Sequence, residues 1–107
     1  MCNIKEIVLT NGDIYFPLTG LDDWGDFKFV VLAIKNVIMP EYIEYKGITD
    51  ISGYFIKNAQ RIDIEYEEMV GNGLIWRKQY QNQNNVNIVR KWVNEIFKCC
   101  LIIKKNN

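Results

Sequence analysis

The chain has 107 residues, 49% of them hydrophobic and 24% charged, with thirteen basic and thirteen acidic side chains in balance. That length supports one core rather than two, and the composition is that of a folding sequence rather than a disordered one. No histidine is present, which excludes Ser-His and Cys-His nucleophilic catalysis, imidazole metal ligation and histidine proton shuttling together.

The longest apolar run, Phe29 to Ile34 between Lys28 and Lys35, is far short of a membrane span. The start, Met1-Cys2-Asn3-Ile4-Lys5-Glu6, goes directly into a strand-like pattern without the basic start and apolar run of a secretory signal, so a cytoplasmic location is expected. Cys2, Cys99 and Cys100 cannot all pair within one chain, and adjacent cysteines have the wrong geometry for an unstrained bridge, so reduced thiols are expected. The charge is divided along the chain: residues 1–70 sum to −6 and residues 71–107 to +6.

In chain order, Ile4 to Thr10 alternates and is followed by Asn11-Gly12 and Ile14-Tyr15-Phe16, which predicts a β-hairpin with Pro17 ending its second strand or placing it at an edge. Leu18 to Asp26 is an acidic loop around Trp24, rich in the Gly and Asp residues that turns use. Phe27 to Met39 fits two patterns. Phe27, Val30, Val31, Ile34, Val37 and Ile38 form a helical stripe, but the density of β-branched and aromatic residues favours a buried strand, and strand is the expectation. Glu41-Tyr42-Ile43-Glu44-Tyr45, ended by Gly47, and Ile51 to Lys57, interrupted by Gly53, follow as strands. In the next, Ile62, Ile64 and Tyr66 alternate with Asp63, Glu65 and Glu67, which lays three carboxylates along one face. Gly71-Asn72-Gly73 predicts the turn into a further strand, Leu74 to Tyr80. After the polar linker Gln81 to Asn85, Val86, Val89, Trp92, Val93, Ile96, Phe97 and Cys100 recur at helical spacing, predicting an amphipathic helix over 86–103.

The expected fold is therefore a single α+β domain over 1–107. It has six to seven mostly antiparallel strands, as a sheet or partly open barrel, closed by one C-terminal helix, an element order shared with pleckstrin-homology-like domains.

Three constellations bear on function. The first is the acidic set, Asp22, Asp23 and Asp26 in the loop with Trp24, and Asp63, Glu65 and Glu67 on the strand. As catalysts these need a pocket that raises one pKa, and as calcium ligands Asp22-Asp23-x-x-Asp26 lacks the spaced donors and following glutamate. A solvated face is the alternative that asks least of them. A docking surface uses all seven residues, because carboxylates steer a basic partner and Trp24 supplies an anchor. The second is the basic set, Arg77, Lys78, Arg90, Lys91, Lys98, Lys104 and Lys105, spread over a strand and an outer helix face without an interleaved aromatic platform, so no nucleic-acid partner is expected. The third is Cys99-Cys100, which lacks two-residue thiol spacing. Cys100 sits centrally on the apolar helix face as a small hydrophobe. No cofactor, metal or membrane partner is expected, nor an enzyme.

The strand-rich body, the Gly71-Asn72-Gly73 turn into Leu74-Ile75-Trp76-Arg77, the polar linker and the closing helix with Val89, Trp92, Val93 and Ile96 resemble, in organisation, the small immunity proteins of bacterial polymorphic or contact-dependent toxin systems. The resemblance implies a cognate toxin domain, often a nuclease, blocked by occlusion. Two other classes remain as alternatives. One is a pleckstrin-homology-like ligand or lipid module, for which Lys5 and the Asn11-Gly12 turn make a poor phosphoinositide site. The other is a small carboxylate-dependent enzyme.

Overall fold

The computed structural model describes residues 4–107, so Cys2 lies outside the described residues. Six strands, β1 (Ile7–Val8), β2 (Ile14–Pro17), β3 (Tyr42–Lys46), β4 (Ile51–Lys57), β5 (Gln60–Glu67) and β6 (Gly71–Trp76), form one antiparallel sheet in the order β1-β2-β6-β5-β4-β3. Two helices, α1 (Phe27–Val37) and α2 (Val86–Lys105), complete an α+β fold.

Strand registry follows from the side-chain alternation. Opposed pairs Phe16 and Leu74, Leu74 and Ile64, and Ile62 and Phe55 place these residues on one face, where all are buried. The two helices pack against each other and close that face with Val30, Val31, Ala33 and Ile34 from α1 and Val89, Trp92, Val93, Ile96, Phe97 and Cys100 from α2. The predicted C-terminal helix and its apolar stripe are thus present, two residues longer than expected. Cys100 is fully buried beside the Phe29 carbonyl, and burial pushes its thiol up to about 12.

The expectation of a strand over Phe27 to Met39 is corrected: this segment is α1. The signals that decide it lie at its ends. Asp26 closes a 3-10 turn over Trp24–Asp26, its carboxylate accepting from the Asp23 N–H at 3.2 Å, and this turn leads directly into the helix. At the other end Met39 adopts φ +52°, its N–H bonds back to the Ile34 carbonyl at 3.2 Å, and Pro40 follows, a helix stop. With a helix after β2, the order of elements departs from strands followed by one helix, on which the likeness to pleckstrin-homology-like domains rested.

Two turns differ from expectation. Residues 68–70 make the β5–β6 loop, closed by the Val70 N–H on the Glu67 carbonyl, and Gly71 at φ +97° pairs with Glu67 as the first residue of β6. Asn72 and Gly73 are therefore strand residues. At Gly73 the Tyr15 ring lies where a Cβ would stand, so a larger residue there would have to displace that ring. Beyond Trp76 the chain leaves the sheet and makes a 3-10 turn over Lys78–Tyr80, so the strand predicted to reach Tyr80 ends earlier.

Helix and strand make opposite demands on Leu32 and Ile34, which share a face only in a strand. Leu32 is exposed and Ile34 fully buried. Ile34→Ala is expected to cost about 2–5 kcal/mol in urea denaturation and Leu32→Ala no more than about 1 kcal/mol. Equal large losses would restore the strand. The β4–β5 hairpin turns through Asn58 (φ +50°) and Ala59 (φ +64°), a two-residue geometry that favours Asn-Gly. Ala59→Gly is expected to stabilise by about 0.5–1 kcal/mol in the same assay, the gain in left-handed backbone exceeding the added entropy of the unfolded chain.

Candidate docking surfaces

The helices cover one face of the sheet and leave the other open. On that open face stand Asp63, Glu65 and Glu67, as the alternation predicts, but they do not form a free acidic row. Arg77, where the chain leaves β6, donates from Nε to Asp63 Oδ2 at 2.8 Å, from Nη1 to Asp13 Oδ2 at 3.1 Å and from Nη2 to Glu65 Oε2 at 3.0 Å. Arg61 donates to the other oxygen of Asp63 at 3.1 Å, and its guanidinium carbon lies 3.9 Å from the Tyr54 ring centroid and 5.0 Å from that of Tyr80. Asp63 is buried and doubly paired, Glu65 half-buried and paired, and Glu67 exposed.

The two arginines line a depression of about 370 Å³ together with Glu44, Ser52, Tyr54 and Glu65. Its carboxylates differ in chemistry. The Lys78 N–H, bonded to Asp13 at 2.7 Å, holds that carboxyl below its usual range with help from Arg77, against the effect of burial. Burial raises Glu65 instead, outweighing Arg77, and the neighbouring Glu67 and Asp63 add to the rise. Hydrogen bonds from Tyr54 and Tyr42 lower Glu44.

The predicted loop residues also separate. Asp26 is buried, its carboxylate bound to the Asp23 N–H and to Lys104 Nζ at 3.0 Å. It is a structural residue and is not presented to a partner. Asp22 and Asp23 are exposed. Asn72 holds their loop against the sheet: its side-chain amide donates to the Leu21 carbonyl at 2.7 Å and the Asp23 carbonyl at 3.1 Å, and its backbone carbonyl accepts from the Leu18 N–H. Trp24 is 55% exposed, yet its indole N–H donates to the Ile48 carbonyl at 2.6 Å, which fixes the ring against the β3–β4 connection.

At this same end of the sheet lie residues that alternation could not single out. Ile48 is 85% exposed, and Met69 and Val70 in the β5–β6 loop are 93% and 57% exposed. Asp50 accepts from the Glu68 N–H, joining the two loops, and Gly71 packs against Asp22. Trp24, Ile48, Met69 and Val70 are thus accompanied by Asp22, Asp23, Asp50, Glu67 and Glu68, none of which has an ion-pair partner among the described residues. The available signal in the sequence was apolar residues inside turns, Met69-Val70 before Gly71 and Ile48 after Gly47.

Asp13 and Glu65 should report opposite pH dependences. For Asp13, with its folded pKa lowered, the stabilisation is complete above the unfolded carboxylate range near ~3.9 and is lost as pH falls through the folded value. For Glu65, with its folded pKa raised, the ionised group costs stability near neutrality and the cost is relieved as pH falls through the folded value. Urea denaturation at pH 7 is expected to show Asp13→Asn destabilised by about 1–3 kcal/mol and Glu65→Gln neutral or more stable, both differences shrinking towards acid.

Among the described residues, no group of three or more acidic or cysteine side chains is arranged to hold a metal ion. No protein-family model matches the chain, and no match was found among the curated proteins or the solved structures.

Proposed function

We propose that this chain is a stoichiometric protein-binding module, an immunity protein that neutralises a cognate toxin domain by docking an acidic surface on it. The observation that carries the proposal is the half-exposed Trp24, held by its bond to the Ile48 carbonyl, at an end of the sheet that also exposes Ile48, Met69 and Val70 beside five carboxylates with no ion-pair partner among the described residues. Exposed apolar side chains grouped with a charged border are an interaction feature rather than a folding one. Tryptophan is the residue most often found at the energetic centre of an interface, and a ring already fixed in place loses little freedom on binding. The carboxylates raise the encounter rate with a basic partner and repel nucleic acid. A toxin domain that is a nuclease fits this charge, because its own phosphate-binding surface is basic.

Of the seven residues expected from the sequence, Asp22, Asp23, Trp24 and Glu67 belong to this surface. Asp63 and Glu65 support the open face from within, and reversing them would break the Arg77 network before it tested binding.

The test is capture of the co-purifying protein from the native host, identification by mass spectrometry, and surface plasmon resonance against the purified pair. Trp24→Ala should weaken binding by about 30-fold or more. Asp22→Lys with Asp23→Lys should lower the association rate most at low salt. Co-expression with the protein encoded immediately upstream should restore growth only with the unaltered surface. A captured partner whose affinity and on-rate ignore all three substitutions would overturn the site, and absence of protection would overturn the immunity role.

A further inference from the structure

The sheet has two edges, β1 and β3. The first is only two residues long, whereas Tyr42–Lys46 presents five residues whose outer side no described strand pairs. Such an edge invites another strand, and its side chains decide which one. Glu44 and Lys46 point to the open face, opposite Tyr54 and Ser52 of β4, while Tyr45 lies on the helix-covered side, its ring 5.3 Å from Phe27. Tyr42 and Tyr45 are each about half exposed.

We infer that β3 pairs with β3 of a second copy of this chain, antiparallel and centred on Tyr45. An isologous antiparallel pairing is set by the residue at its two-fold axis. Centring on Glu44 would oppose Glu44 to Glu44 of the other copy. Centring on Tyr45 opposes Glu44 to Lys46 and Lys46 to Glu44, two ion pairs on the open face, and Tyr45 to Tyr45 on the helix side. The pairing spans Glu44 to Lys46 of each copy, because Gly47 at φ +126° ends the extended strand. This register is the one in which the strand complements its own charge, and opposed charge pairs across strands are favourable where like pairs are not. The helices of both copies stay on one side of a continuous twelve-stranded sheet. The Trp24 surfaces come to opposite ends of it, where Ile48, whose carbonyl holds Trp24, lies opposite Tyr42 of the second copy, so the pairing borders that surface; sedimentation of the chain alone reads the pairing without any partner.

Sedimentation equilibrium of the full chain, up to several hundred micromolar, tests it. The wild type should associate to a dimer. Glu44→Lys and Lys46→Glu should each weaken the dimer by on the order of tenfold or more, since each puts two like pairs in place of two opposite ones. The double variant, E44K with K46E, should recover association, and an equimolar mixture of the two single variants should form a mixed dimer that neither forms alone. Both positions are exposed, and circular dichroism checks that each variant folds. A wild type that remains monomeric throughout, or single variants that dimerise as well as the wild type, would overturn the pairing. Failure of the mixture to associate would do the same.

Discussion

A sheet covered by helices on one side only must satisfy the charged groups of its other side without help from a second layer, and in this protein Arg77 does most of that. It stands where β6 leaves the sheet, and one guanidinium joins Asp13 from the β1–β2 turn to Asp63 and Glu65 of β5. A planar cation with five donors suits this position, because two carboxylates of β5 and one from the β1–β2 turn approach it from different directions and a lysine could not hold all three in fixed geometry. The β1–β2 hairpin, itself short, is tied to the body of the sheet through the same residue, with the Lys78 N–H on Asp13 as a second tie. Partial exposure of the arginine means that these pairs contribute less than their geometry alone would suggest.

The neutralisation extends beyond Arg77. The opposite charges of the two halves of the chain are folded together: Arg90 of α2 pairs with Glu6, and Lys104 with Asp26. Seven of the twelve carboxylates of residues 1–70 have no ion-pair partner among the described residues, and five of the seven, Asp22, Asp23, Asp50, Glu67 and Glu68, lie at one end of the sheet. That end is built by Asn72, whose side chain turns a strand position into a bracket for the Leu18 to Asp26 loop. Internal pairing elsewhere on the molecule is what makes the remaining carboxylates distinctive, and the same bracket places Trp24 among them.

The period of two in Ile62, Ile64 and Tyr66, the period of 3.6 in Val89, Trp92, Val93 and Ile96, and the single core were legible in the residues alone. Both patterns are imposed by backbone geometry and by one-sided burial, which act at short range along the chain. The acidic loop was legible in part, since Asp22, Asp23 and Trp24 are where their composition predicts, on an exposed connection. Tertiary structure decided the rest. The stripe at Phe27, Val30, Val31 and Ile34 satisfies a helix and its β-branched content a strand. The choice fell to the capped turn at Asp23 to Asp26 and to the need for a second helix to cover the sheet. Likewise nothing in the spacing of Asp63 and Glu65 announces Arg77, and nothing in Asp26 announces Lys104, 78 residues further on. Whether a carboxylate is offered to a partner or consumed within the fold depends on which cation the chain brings back to it. That is a property of long-range pairing, whereas the pattern that built the strand beneath it is local.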